Sequence, residues 1–367
     1  MASSALPEKM LAAQVVEFNK PYHINTIPVP KLLDEHDLLV KVAVASLCHT
    51  DSMVTSGVFK SKLPLVGSHE GAGTVVALGS SAQGFQPGDR ILCGVIYHRC
   101  GICPDCQGPE QQQHYCAQES HLGILKDGSF AEYQIVDSRE ACRLPDNLSF
   151  QSAAPLACAG RTIWGGLARA DLKAGESVAI VGAGGGLGHL GVQFAKALGL
   201  VVIALDARDE ALQLAQECGA DVLVDARQEK AKVVEEVMKV TGGRGADATL
   251  NLADHPSAAA TSAAITKMHA TVVQIAQPDE VVVPFHEFVF RDIKFHGSLL
   301  CSAGEAQKML ELVAKHDVKV KTNPFRGLKE LPQAVELAHS GKMQGKPAIL
   351  IDEEAIAQEK KSGLKMV

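Results

Sequence analysis

Basic charge is not in excess in this chain. Among its 367 residues, 35 Lys and Arg stand against 42 Asp and Glu, a formal net charge of −7. That balance offers no electrostatic footprint for nucleic acid. No apolar run reaches the roughly 18–20 residues that a membrane-spanning helix requires, so no membrane association is expected. The opening stretch MASSALPEKMLAAQVVEF has no basic segment followed by an apolar one, so no secretory leader is expected. Internal repeats and low-complexity segments are also lacking. What is present is a globular composition, 46% hydrophobic and 21% charged with 33 Gly, long enough for two ordinary domains. Lys360, Lys361 and Lys365 near the end read as a solvated tail rather than a binding patch. Ten cysteines without a leader point to reduced thiols, metal ligands and a cytoplasmic setting.

Four of those cysteines, Cys100, Cys103, Cys106 and Cys116, share the run CGICPDCQGPEQQQHYC. The repeated CxxC spacing lets four sulfurs converge on one ion, and four thiolates suit Zn²⁺. The competing reading is a disulfide cluster or unrelated buried thiols. A closed four-cysteine site leaves no open position for a substrate, so it pins a loop and the chemistry must lie elsewhere.

The first half reads as short β-rich segments, including 38–45, 73–77 and 91–96, with a turn at Pro87-Gly88-Asp89. The pattern changes near Ala170. Strands at 177–181, 201–205, 222–224, 248–252 and 271–275 alternate with helices at 190–198, 210–218, 231–240 and 257–267. That alternation predicts a doubly wound parallel sheet covered on both faces, an α/β Rossmann-type fold, with 293–297 as a last strand. Beyond it, helices are expected at 305–315 and 331–340 and a strand at 348–351.

The strand–turn–helix VAIVGAGGGLGHLGVQFAKALG carries Gly182, Gly184, Gly185, Gly186, Leu187 and Gly188, one residue longer than a strict GxGxxG. Glycines there allow a pyrophosphate to approach backbone N–H groups at a helix N-terminus. Asp206 ends the next strand, where a carboxylate would bond a ribose 2′-hydroxyl and repel a 2′-phosphate, favouring NAD(H) over NADP(H). Nearby Arg208 softens that preference, and Asp206 is alternatively an ordinary turn residue.

Three further segments hold metal-ligand types: Cys48-His49-Thr50-Asp51, Gly67-Ser68-His69-Glu70-Gly71, and Cys158 in PLACAGRTIW. Singly, each has a bland reading as a buried thiol or a satisfied polar group. Together they make a two-Cys, one-His set with room for a fourth ligand, a combination known for catalytic zinc in alcohol dehydrogenases.

On these residues the chain resembles the zinc-dependent medium-chain alcohol dehydrogenases, particularly the yeast and bacterial branch. The resembling motifs are CHTD, GSHEGAG, PGDR, the CxxCxxC loop, DGSFAEY, PLACAG and the glycine turn, in family order along almost the whole chain. The resemblance implies a discontinuous β-rich GroES-like catalytic zinc domain, 1–158 and 300–367, around a Rossmann NAD-binding domain, 159–299. It implies two zinc ions per chain, the catalytic one on Cys48, His69 and Cys158 with Glu70 as an occasional ligand. It further implies that Thr50 takes the substrate proton, that His49 and Lys346 approach the pyrophosphate, and that Thr162 packs near the nicotinamide. Zinc would act as a Lewis acid on an alcohol or aldehyde while NAD(H) carries the hydride.

Several positions depart from the family pattern. Met53 stands where many members have a histidine that passes the proton to solvent. Two extra residues separate Cys106 from Cys116. Val95 replaces an aromatic of the small-alcohol enzymes, and with Phe59 it suggests a pocket wider than ethanol needs. Lys346 replaces an Arg and loses its bidentate fork. The stretch from Cys116 to Asp127 is too short for the insertion of animal dimeric enzymes, so the resemblance leans to a homotetramer, with a dimer as the alternative. Residues 271–275 and the following VVVPF would supply edges for pairing. The competing functions are a C=C or quinone reductase of the same fold and a non-catalytic NAD- and zinc-binding protein.

Overall fold

The computed structural model describes residues 6–32 and 34–365. They divide into two units at Cys158. One unit runs to Cys158 and takes in Ser302–Gln307 and the chain from Thr322; the other is Ala159–Cys301 with Lys308–Lys321.

The spine of the first unit is the strand Asp37–Ser46, nearly all buried. Its sequence DLLVKVAVAS is apolar on both faces, as a doubly covered strand must be. Leu39 and Val42 feed one core with Met10, Phe130 and Ile349. Leu38 and Val40 feed another with Val75, Ile91 and Tyr97. One edge of the strand pairs antiparallel with Glu70–Leu78. The other edge is shared by Tyr133–Asp137 at its start and Lys346–Leu350 at its end. Thr322–Arg326 lies parallel to Lys346–Leu350. A smaller sheet joins His23–Pro28, Lys9–Val15 and Leu65–Val66.

Lys360 and Lys361 are not in a loose tail. They end a helix, Glu353–Lys361, started by Asp352, whose side chain accepts from the N–H groups of Glu354 and Ala355. Lysines in a last turn also suit the helix dipole. The helix is held by its buried Glu359, which pairs with Arg90 and accepts from the Phe150 N–H at 3.0 Å.

The second unit is a six-stranded parallel sheet. Its order is Val222–Asp225, Val201–Asp206, Ser177–Val181, Ala246–Asn251, Thr266–Gln274 and Lys294–Gly297. This 3-2-1-4-5-6 order is the doubly wound dinucleotide-binding arrangement, with its crevice at the carboxyl ends where the order reverses. The fifth strand starts at Thr266, earlier than periodicity suggests. The Thr266 hydroxyl donates to Ser262 O and meets Thr249 Oγ1, which ends the preceding helix at Ile265. The VVVPF run forms no strand; Pro284 instead precedes the short helix Phe285–Val289. The edge strands of this sheet are therefore Val222–Asp225 and Lys294–Gly297, and the strand through 271–275 is internal. Residues 308–321, expected with the catalytic unit, belong to the second one. The helix Ala303–His316 buries Met309, Leu310 and Val313, and the segment after it bonds to the helix Gly188–Ala197. Among the described residues no helix is long and apolar enough to cross a membrane.

Candidate active site

Strand pairing in the first unit gathers the metal-ligand types. Ser46, at the end of the central strand, is opposite Glu70 on one side and Ala348 on the other. The chain then leaves the sheet at Cys48, which caps the helix His49–Thr55. Asp51 fixes this corner. One carboxylate oxygen accepts from the Cys48 N–H at 2.8 Å and the other from the Ser68 N–H at 2.9 Å. A single buried side chain thus fixes the segments that carry Cys48 and His69. Its role was readable only as a cap, three residues beyond a Cys in the N-cap position.

Cys48, His69 and Cys158 converge, with their ligand atoms all within 4.8 Å of one another. Both ring nitrogens of His69 are buried and make no hydrogen bond. A buried imidazole without a partner is costly unless something fills the position. The neighbouring donors are two sulfurs, and a two-sulfur, one-nitrogen set with an open fourth position fits zinc. The charges agree. The hydrogen bond from Cys158 holds the Cys48 thiol well below its usual pKa, helped by the positive charges of Lys346 and His69. Burial lowers the His69 pKa, but the negative charges of Cys48, Asp51 and Glu70 outweigh it and bring it to about 9. The Thr50 hydroxyl lies 3.8 Å from the Cys48 sulfur, while His49 is exposed on the same helix.

Glu70 stands outside this trio. Its carboxylate is 2.7 Å from the Lys346 ammonium, and both side chains are at most 5% exposed. The register explains the pair: Glu70 and Lys346 flank the same end of the central strand on its two neighbours. The Lys346 ammonium is buried against Glu70 in this unit.

Cys100, Cys103, Cys106 and Cys116 form the second cluster, again with all sulfurs within 4.8 Å. Three of the sulfurs accept backbone N–H groups: Cys103 N donates to Cys100, Cys106 N to Cys103, and Cys100 N to Cys116. At Cys100 the backbone N–H groups of Ile102 and Cys103 bring the thiol pKa down to about 6. All ten cysteines are free, so no disulfide cluster competes with the metal reading. These are the two potential metal groups among the described residues. Val95 is buried, and Phe59 packs against Val15, Val54 and Leu65.

In the second unit, the glycine turn joins Ser177–Val181 to the helix Gly188–Ala197. Gly182 has φ +90°, a left-handed conformation that a side chain resists. At Gly184 a Cβ would sit 2.0 Å from the Ala211 carbonyl oxygen. Asp206 faces this turn, and one of its oxygens accepts from the Gly184 N–H at 3.1 Å. The other accepts from the Ala207 N–H and lies 3.7 Å from the Arg208 guanidinium. Thr162 is buried on the helix Ala159–Ala170, which directly follows Cys158.

Residues 34–146 match the family described as alcohol dehydrogenase GroES-like domain, and residues 186–315 match zinc-binding dehydrogenase. The chain is 33% identical to an alcohol dehydrogenase of Geobacillus stearothermophilus, over 94% of this chain and all of that one. The crystal structure of the alcohol dehydrogenase from the archaeon Aeropyrum pernix has a TM-score of 0.84 and 29% identity, covering 93% of this chain and 99% of that one. A structure described as an NAD-dependent alcohol dehydrogenase has a TM-score of 0.85 and 25% identity, covering 93% and 100%. With two sulfurs and a partnerless imidazole gathered in one unit and a glycine-turn nucleotide fold in the other, the chain belongs to the zinc-binding alcohol dehydrogenase family.

Proposed function

We propose that this zinc- and NAD-dependent alcohol dehydrogenase interconverts a primary or secondary alcohol, larger than ethanol, with its aldehyde or ketone. The observation that carries the reading is the Cys48, His69 and Cys158 trio with its unbonded imidazole. Val95, in place of a bulkier aromatic, supports the larger substrate.

In this reading Cys48, His69 and Cys158 hold the catalytic zinc, and Cys100, Cys103, Cys106 and Cys116 hold a structural one. Bound zinc supplies Lewis acidity toward the substrate oxygen, and NAD(H) carries the hydride. Asp51 holds Cys48 and the residue beside His69 in place, so the ligands are preorganised. Thr50, beside Cys48, accepts the proton released by the alcohol and hands it outward. Met53 cannot carry that proton, so it leaves through His49 or water. Lys346 neutralises Glu70, which keeps a second carboxylate charge from accumulating beside two thiolates. Asp206 receives the ribose hydroxyl, and the N–H groups at 186–188, at the end of the turn, receive the pyrophosphate.

Assembly into a homotetramer, or a dimer, is supported by exposed apolar side chains in the stretch that leads into the edge strand Lys294–Gly297. Val282, Phe285, Val289 and Phe290 are 59–70% exposed. Ten free thiols support a reducing, cytoplasmic setting.

The test is metal analysis followed by a panel of aliphatic, aromatic and furan-like alcohols with NAD and with NADP. Two zinc ions per chain and NADH formation with a bulky alcohol are expected. Turnover of enones or quinones but of no alcohol would replace the reading with a C=C reductase. NADH binding without any turnover would leave a non-catalytic protein.

A further inference from the structure

The helix that follows the glycine turn carries a fully buried histidine, His189, at its second residue. Its two ring nitrogens do different work. Nδ1 lies 3.1 Å from the Gly185 carbonyl oxygen, and Nε2 accepts the Lys321 N–H at 3.2 Å. A carbonyl only accepts, so Nδ1 carries the proton and Nε2 is the bare nitrogen. One helical turn later Gln193 repeats the attachment: its side chain accepts the Lys319 N–H at 2.7 Å and donates to the Lys319 carbonyl at 2.9 Å. Residues 189 and 193 share a helix face. The segment 318–321 has no regular structure of its own, and it is the last part of this unit before the chain passes into the other at Thr322.

We propose that His189 is a positioning residue for the dinucleotide, fixing the glycine turn and fastening it to the segment 318–321. The backbone N–H of His189 also donates to Gly185 O, at 3.1 Å, so this one carbonyl is held twice by one residue. Held inward, it leaves the N–H groups at 186–188 to face a phosphate, while those of Gly182 and Ala183 donate to Leu205 O, that of Gly184 to Asp206 and that of Gly185 to Gly182 O. The same ring links occupancy of the turn to order at Lys321, because a turn stiffened by nucleotide holds the imidazole at the geometry the Lys321 bond needs. The proposal rests on the assignment of the glycine turn to NAD(H).

Four proteins test it: native, His189→Leu, His189→Asn and His189→Gln. An Asn amide reaches the place of Nδ1 and can donate to Gly185, and a Gln amide oxygen reaches the place of Nε2 and can accept from Lys321. His189→Leu should weaken NADH binding about 10-fold, the scale of one or two lost hydrogen bonds, and raise KM for NAD without lowering kcat at saturation. His189→Asn should recover most of the affinity but leave the Lys321 amide in fast hydrogen exchange. His189→Gln should slow that exchange, most clearly with NADH bound, while KM stays raised. Native affinity in His189→Leu, or an Asn variant no better than Leu, would overturn the proposal and leave His189 as packing. If His189→Leu does not fold, the Asn and Gln pair decides by the same contrast. If the native protein itself binds no NADH, the assignment of the turn fails instead.

Discussion

Replacing Lys346 by Met keeps an unbranched side chain, one atom shorter, and removes the ammonium with its charge and its donors. The Glu70 carboxylate, fully buried, then loses its ion-pair partner and stands beside Cys48 and Cys158. Breaking a buried ion pair from one side costs about 3–5 kcal/mol, because the remaining charge keeps its desolvation penalty. At the middle of that range, about 4 kcal/mol, the folding equilibrium of the first unit changes roughly a thousandfold. Replacing both partners, Lys346→Met with Glu70→Leu, exchanges charge for packing and should cost far less than the sum of the singles. The assay is urea unfolding of zinc-loaded protein followed by a probe in the first unit. The pH dependence has a definite sign. Burial raises the Glu70 pKa even with Lys346 present, and without it the rise is larger. A carboxylate whose folded pKa lies above its unfolded one destabilises at high pH and is relieved on acidification. The Lys346→Met deficit should therefore be largest at the higher pH and shrink as the pH falls toward the raised folded pKa of Glu70. A deficit below about 1 kcal/mol at the higher pH, or one that does not depend on pH, would refute the idea that this pair is electrostatically isolated from water.

Cys103→Ser should release one zinc and lower the unfolding temperature, because an incomplete four-cysteine site loses folding energy; retention of two zinc ions per chain would contradict this. Cys158→Ser should abolish alcohol oxidation while the circular dichroism spectrum stays native, and substantial residual turnover would remove Cys158 from the ligand set. Asp206→Gly should narrow or reverse the preference for NAD over NADP, since it removes repulsion of a 2′-phosphate and leaves Arg208 in place; a native protein with higher kcat/KM for NADPH than for NADH would refute the reading of Asp206. Met53→His should raise alcohol oxidation more near neutral than at alkaline pH, given that a positioned proton carrier is commonly worth about 10²–10⁴-fold. Identical pH profiles, with a deuterium isotope effect showing that hydride transfer limits the rate, would leave Met53 as a packing residue.

The parallel sheet was legible because five of its strands are short apolar runs closed by glycine or a charged turn, and the helices between them keep their period. The helix Ala159–Ala170 was not, since the Gly165-Gly166 pair interrupts its pattern and reads as a break. The second and third residues of the CxxCxxC loop fall at fixed spacing, so that cluster could be found locally. Cys48, His69 and Cys158 lie far apart in the chain, and only the family resemblance joined them before the sheet register did. The Glu70–Lys346 pair could not be seen at all from sequence. It depends on a strand near the end of the chain closing beside one near the beginning, and no local pattern encodes such pairing. His189 was hidden for a related reason, because its partner at Lys321 is a backbone N–H that no side-chain motif announces.

The closure of the first unit also has a timetable. Ser46 bonds to Pro347, 301 residues later. At a synthesis rate of about 5–20 residues per second, the late half of the Asp37–Ser46 strand waits roughly 15–60 s for its neighbour Lys346–Leu350. During that time one edge of the most apolar strand in the unit stands open on the ribosome, a surface on which nascent chains can stick to one another. The nucleotide-binding unit has no such wait, since its last residue is Lys321 and its sheet is complete by Gly297. The half of the enzyme made first is therefore finished last.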